Sequence, residues 1–363
     1  MTDGTLDARL RARIAAEGPL PVETVMAEAN AAYYARGPAI GAAGDFVTAP
    51  EISQVFGEII GLWLAVVWQM MGRPPRVILV ECGPGRGTLM ADALRALAPV
   101  PAFRAALEVH VVETSPTLRE TQRATLGDAV AAWHDTLATV PDDAPLFLVG
   151  NEFLDALPVR QYVRAAGRWH LRRVGLDGAG ALAFVTGEPA PADDLHPRLR
   201  DGAPDGAPDG AIAEVCPTAR EFVSDLGRRI VHQGGVGLLI DYGHPRSGCG
   251  ETLQAVRGHR YHPVLRDLGT ADLTTHVDFE ALSRSVAAFG AAAHGPVEQG
   301  VWLRALGAEA RAAMLRQGGS PEQDAEIQRA VRRLIDPEEM GRLFRAFAVT
   351  GTESDVLPGF EGM

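Results

Sequence analysis

The sequence predicts an α/β protein with a parallel, doubly wound sheet, a helical N-terminal region and an antiparallel β insertion. Three observations predict it. From about residue 73, apolar runs of strand length alternate with stretches of helical periodicity. A turn with three alternating glycines, Gly83-Pro84-Gly85-Arg86-Gly87, joins the first such run to a helix. Residues 159–187 then abandon the alternation for short strands separated by glycines. The chain accordingly reads as four stretches. Residues 1–72 are a helical region and lid, and 73–158 are the first half of the core. Residues 159–213 are a β insertion with a low-complexity loop, and 214–363 are the second half of the core with added helices.

The elements follow in order. Leu6, Leu10 and Ile14 recur every four residues, the mark of an amphipathic helix. The helical region is interrupted by the polar stretch RGPAIGAAGDFVTAPEIS, in which Thr48, Pro50 and Glu51 read as a cap and first turn. The run Ile59–Met71 is too short to span a bilayer and reads as a helix buried on most sides. RVILVEC, LEVHVVET, a strand before WHDTL, and PLFLVGNEFL are the parallel strands; LMADALRALA and PTLRETQRATLG are the helices between them. DGAPDGAPDG (201–210) reads as a surface loop. The helix TAREFVSDLGRRIVHQ and the strand GVGLLIDYG resume the core. Ser320-Pro321-Glu322-Gln323 and Asp336-Pro337-Glu338-Glu339 both fit capping boxes with proline at the first helical position. RAFAVTG and the turn-rich C-terminal segment would supply the last strands.

The 363 residues are 47% hydrophobic, enough for one large domain with insertions or two domains with cores. Charge is 34 − 46 = −12, and every basic residue is arginine. No basic block appears, which disfavours nucleic-acid binding through a cationic face. Three separated cysteines (Cys82, Cys216, Cys249) fit a reducing compartment better than a disulfide framework. The N-terminus lacks an apolar signal core and mixes acids with its arginines. A cytoplasmic protein without membrane insertion is expected.

The glycine turn places backbone N–H groups at a helix N-terminus, where they attract polar or anionic ligand groups. Glycines at 83, 85 and 87 let that backbone approach a ligand without a Cβ clash. The spacing departs from the dinucleotide G-x-G-x-x-G, which disfavours a nicotinamide oxidoreductase. Glu81, just before the turn, suits an ammonium or hydroxyl better than a pyrophosphate. S-adenosylmethionine has no phosphate and carries an ammonium, a carboxylate and a sulfonium. Glu113, at the next strand end, is placed to accept the two ribose hydroxyls. Asp135, after the third strand, could take the adenine amine, and Trp133 could cover a ring face.

GDFVTAPEISQVFGE, VECGPGRGTLMAD, GNEFLDALPVRQY, LLIDYGH and DLTTHVDF stand in this order along the chain. With them the sequence resembles the MidA-like family of class I methyltransferases, over nearly its whole length. The resemblance implies the Rossmann-like seven-stranded methyltransferase sheet and S-adenosyl-L-methionine as cofactor. It also implies methyl transfer to a protein arginine giving symmetric dimethylarginine. The expected protein partner is the quinone-site subunit of NADH dehydrogenase (complex I), methylated during assembly. The DGAPDGAPDG loop lies outside the family pattern.

A guanidinium acceptor is protonated and delocalised, so carboxylates and carbonyls must orient it and take its departing proton. NEFLDALP follows the fourth strand, at the sheet edge where such folds bind ligands. Glu152 is the first candidate catalytic residue, and Asp155, read as one helical turn further, is the second. Asn151 would offer amide and carbonyl groups. Asp45 and Glu51 are candidate lid or substrate residues. His244, Cys249, His259 and His262 match no common zinc spacing, so no metal is expected. The same residues fit two alternatives: an assembly scaffold that binds S-adenosylmethionine without essential turnover, and a small-molecule methyltransferase. Oligomerisation is compatible with the sequence.

Overall fold

The computed structural model describes residues 5–36, 47–200, 207–351 and 356–361. The chain forms two compact units. The first comprises Met1–Arg36, Asp155–Phe222 and His244–Leu282; the second comprises Gly37–Leu154, Val223–Gly243 and Ser283–Met363. The division falls at other points than 72/73, 158/159 and 213/214. Each unit is assembled from segments distant in sequence, which composition along the chain does not pair.

In the first unit, α1 (Leu6–Glu17) starts at Thr5, whose hydroxyl accepts the Ala8 N–H, and buries Leu6, Leu10 and Ile14. The second helix, α2 (Val22–Tyr34), is anchored by the buried Asn30. Its amide donates to the carbonyls of Ala156 (2.9 Å) and Leu273 (2.8 Å) and accepts the Leu273 N–H (3.0 Å). The expected β insertion is present. Strands 160–165, 168–176, 182–189 and 212–215 pair antiparallel, with 20–21 added beside 173–174. Leu10, Met26, Val174 and Leu273 lie in its core.

The second unit opens with the single turn α3 (Ala49–Ile52) and the long α4 (Gln54–Met70). Thr48 precedes α3 with Pro50 in its first turn, but the Thr48 side chain makes no capping bond; Ser53 caps α4 by accepting the Val55 N–H. The central sheet contains β1 (Val77–Cys82), β2 (Leu107–Val112), β3 (Val130–His134), β4 (Leu146–Asn151), β5 (Gly235–His244), β6 (Ala291–Glu298) and β7 (Phe344–Gly351). Their order across the sheet is β6-β7-β5-β4-β1-β2-β3. Strands β1 to β5 run parallel, and β7 is antiparallel to both β5 and β6. Strands β1 and β4 are buried along their whole length, which is why they read as unbroken apolar runs. From the central β1 the chain builds outward first through β2 and β3, then on the other side from β4. A crevice therefore opens at the C-terminal ends of β1 and β4, the topological switch point of such sheets.

The sequence misplaced two late features. RAFAVTG does form a strand, between β5 and β6, but its outer neighbour β6 is an alanine-rich strand earlier in the chain, and the described C-terminal segment 356–361 is turn. Ser320 does cap α7, the helix Pro321–Ile335, in a full capping box, but Asp336 ends that helix. Asp336 Oδ1 accepts the Glu338 N–H in a turn, and the next helix begins only at Met340.

Helix α4 packs against the helix that follows the glycine turn, α5 (Thr88–Ala96), through Gly57 and Gly61. A Cβ at 57 would stand 2.8 Å from Leu89 O, and one at 61 would stand 2.5 Å from Ala93 O. The same interface buries the Glu58 carboxylate, which pairs with Arg311 (2.8 Å) and Arg95 (3.2 Å). Since α5 begins at the glycine turn, this packing sets the turn's position. Gly61→Val is expected to cost about 2–3 kcal/mol through overpacking against backbone, read by urea denaturation, and to weaken ligand binding at the turn. Among the described residues no helix is long and apolar enough to cross a membrane.

Candidate active site

A small cleft of about 50 Å³ opens at the β1/β4 switch point, where such sheets bind their ligands. It is lined by the glycine turn, by Glu51 and Thr88, and by Glu81, Asn151 and Glu152. The residues singled out from sequence on β1, β4 and the interrupted helical stretch therefore meet in one place.

Gly83, Gly85 and Gly87 all adopt positive φ (63°, 55° and 84°), a backbone that other residues rarely take. A Cβ on Gly83 would lie 3.0 Å from the Phe153 ring. Gly87 is the N-cap of α5, so the first N–H groups of that helix face the turn.

Glu81 is buried on β1. It accepts the Met90 N–H, and its Oε2 has no hydrogen-bond partner. Burial pushes its carboxyl up to about 8. A buried carboxyl with an open oxygen on a ligand cleft calls for a cationic partner. The Asn151 Oδ1 is likewise buried and without a partner, while its Nδ2 donates to Glu152 Oε1 (3.2 Å). Two orphaned acceptors and a glycine cradle, with no cationic side chain paired to Glu81 among the described residues, fit a ligand carrying an ammonium and hydrogen-bond donors.

Glu152 stands in the left-handed region (φ 49°), directly after β4. The segment beyond it is not a helical turn as read from sequence. The buried Asp241 carboxylate, in the C-terminal half of β5, takes the N–H groups of Phe153 (3.2 Å), Leu154 (2.9 Å) and Tyr242 (2.9 Å), and Glu152 N–H reaches Ile240 O (2.9 Å). These bonds form a tight turn that presents Glu152 at the cleft. Asp241→Ala leaves several buried N–H groups without an acceptor. It is expected to cost about 3 kcal/mol or more, measured by thermal denaturation, with Asp241→Asn milder.

The lid expectation divides. Asp45 lies outside the described residues. Glu51 accepts the Thr88 hydroxyl hydrogen bond and faces Arg86 at 3.5 Å, so α3 is tied to the glycine turn. The Ala49 N–H donates to Glu152 Oε1 (2.9 Å), which ties α3 to the β4 end as well.

Glu113 is buried just beyond β2, with Oε1 accepting Ser115 N–H (2.8 Å) and Oε2 accepting the Gln122 amide (3.2 Å). Burial raises its pKa despite these donors. Asp135 projects beyond β3, its side chain 75% exposed and paired to Arg119 at 2.7 Å. Trp133 packs against the core with Arg123 over one ring face at 5.0 Å. Asp155 belongs to the first unit. It is buried, its carbonyl accepts Thr275 N–H (3.0 Å), and with Asp272 its charge adds to burial in raising the Tyr34 phenol. Sequence reading missed Asp241 and Gln122. Asp241 had one usable signal, an acid following a buried apolar run as Glu81 does; Gln122 had none.

Comparison with known proteins decides the family. Residues 59–297 match the family model of S-adenosyl-L-methionine-dependent methyltransferases. The chain belongs to that family. It is 35% identical to the mouse (Mus musculus) mitochondrial protein arginine methyltransferase NDUFAF7, over 93% of this chain and 82% of that protein. The Drosophila melanogaster homolog is also 35% identical, over 95% and 85%. In structure the chain is similar to a Burkholderia thailandensis protein crystallised with S-adenosyl-homocysteine. That match has a TM-score of 0.83 and 30% identity, covering 98% of this chain and 94% of the other. The protein is an S-adenosylmethionine-dependent methyltransferase with the mainly parallel α/β fold expected from its sequence.

Proposed function

We propose that the chain methylates arginine on a protein, giving symmetric dimethylarginine, with the quinone-site subunit of NADH dehydrogenase as substrate during complex I assembly. The observation that carries this reading is the near-full-length similarity to relatives named as protein arginine methyltransferases. The local chemistry supports it: a carboxylate, Glu152, stands at the end of β4 beside the glycine cleft.

When bound, the cofactor supplies an activated methyl group on a sulfonium. Glu81 holds the ligand ammonium, the amides around Gly83, Gly85 and Gly87 line the cradle, and Glu113 accepts the ribose hydroxyls. Asp135 takes the adenine amine in exchange for its Arg119 pair. Asn151 offers its open Oδ1 to the ligand or the acceptor. Glu152 aligns the guanidinium nitrogen and receives the proton that nitrogen loses as its new N–CH₃ bond forms and the S–CH₃ bond breaks. Glu51 borders the site. Glu51→Ala removes the Thr88 and Arg86 contacts and is expected to raise the cofactor Kd about threefold to tenfold, measured by calorimetry.

The test is peptide mass spectrometry of the quinone-site subunit from cells with and without this protein. A dimethyl increment on one arginine, present only with the protein, is expected. An unchanged subunit would reject that substrate.

A further inference from the structure

Gln122 lies on α6 (Pro116–Leu126), the helix that follows β2, and is fully buried. Its amide nitrogen donates to Gly85 O (2.9 Å) and to Glu113 Oε2 (3.2 Å), and its amide oxygen accepts the Trp133 indole N–H (3.0 Å). One side chain thus joins the glycine turn after β1, the acid after β2 and the tryptophan on β3. Both ends of the amide are used, and the pattern admits only one orientation of the group.

The consequence falls on Glu113. Ser115 N–H holds one carboxylate oxygen and Gln122 holds the other. A carboxylate held at both oxygens cannot rotate, and its remaining lone pairs face fixed directions. A glutamate at 122 would instead set two carboxylates about 3.2 Å apart, and they would share a proton or repel.

We propose that Gln122 is a positioning residue of the adenosine subsite: it fixes the plane of the Glu113 carboxylate for the vicinal hydroxyls of a ribose, in register with the glycine turn. Preference for a ribose over a 2′-deoxyribose ligand then depends on Gln122 as well as on Glu113. This rests on Glu113 being the ribose acceptor.

The test is calorimetric binding of S-adenosylhomocysteine and its 2′-deoxy analogue to the wild type, Gln122→Met, Gln122→Glu and Glu113→Gln, with folding checked by circular dichroism. The wild type is expected to prefer the ribose ligand by at least about tenfold, the scale of one charged hydrogen bond. Gln122→Met should lose most of that preference. Gln122→Glu, which preserves shape, should bind poorly relative to wild type at pH 8 and recover at pH 6, where a protonated carboxyl again donates to Glu113. An unchanged ribose preference in Gln122→Met, or a pH-independent ratio of Gln122→Glu to wild type, would overturn the proposal. If Glu113→Gln keeps the preference, the ribose assignment itself fails. If Glu113→Gln loses it and Gln122→Met keeps it, only the role of Gln122 fails. Should Gln122→Met not fold, the pH ratio of Gln122→Glu decides.

Discussion

Glu81→Gln is expected to weaken S-adenosylmethionine binding about a hundredfold at pH 7, while making the ligand-free protein more stable. The affinity loss is that of a buried charge pair with one partner removed, a few kcal/mol. The stability gain follows from the raised carboxyl. In the folded protein Glu81 releases its proton near pH 8, against an ordinary value of 4.5. Between those values the folded state holds a proton that the unfolded chain has released. Stability therefore falls as pH rises from about 4.5 through about 8, and Glu81→Gln removes that slope. The same linkage governs binding. An ammonium beside Glu81 favours the ionised carboxylate, so below pH 8 binding expels a proton, and affinity rises with pH toward 8. Above that, a ligand α-amino group with a pKa near 8 loses its own charge and affinity declines again. Calorimetry in buffers of different ionisation enthalpy measures the proton directly. Binding at pH 7 without proton release, or a variant of undiminished affinity, would mean that Glu81 does not meet the ammonium.

The second large effect is expected at Glu152. Glu152→Gln keeps an oxygen for the Ala49 N–H, so α3 stays tied to the end of β4. It removes the charge that aligns a guanidinium and the base that takes its proton. Methyl transfer should fall by about 10²–10⁴, the range for loss of a positioned general base, with cofactor Kd changed by less than about threefold. Single-turnover transfer, read beside calorimetry on the same variant, separates the two effects. Loss of binding in step with activity would make Glu152 a cofactor ligand instead.

The legible parts of the fold were those whose burial leaves a continuous trace. VILVEC and LFLVGN are covered on both faces, so each opens on four consecutive apolar residues and the strands stand out. The glycine turn was legible because backbone with positive φ demands glycine. Strand β6, AAAHGPVE, was missed because an alanine-rich edge strand carries little β-branched or alternating signal. The second capping box failed because the pattern Asp-Pro-Glu-Glu also fits a simple turn, and the preceding helix runs up to Asp336. Asp155 was expected beside Glu152 on a helix; the Asp241 carboxylate instead folds residues 152–154 into a turn, and that partner is distant in sequence. Gln122 is invisible to sequence for the same reason, since its three partners come from three different strand ends.

The most direct measurement is transfer from methyl-labelled S-adenosylmethionine to a protein acceptor, followed by acid hydrolysis and amino-acid analysis. Label in dimethylarginine, absent with Glu152→Gln, is the expected result. Label on another residue or on a small molecule, or no transfer to arginine by an enzyme that binds the cofactor tightly, would contradict the arginine assignment.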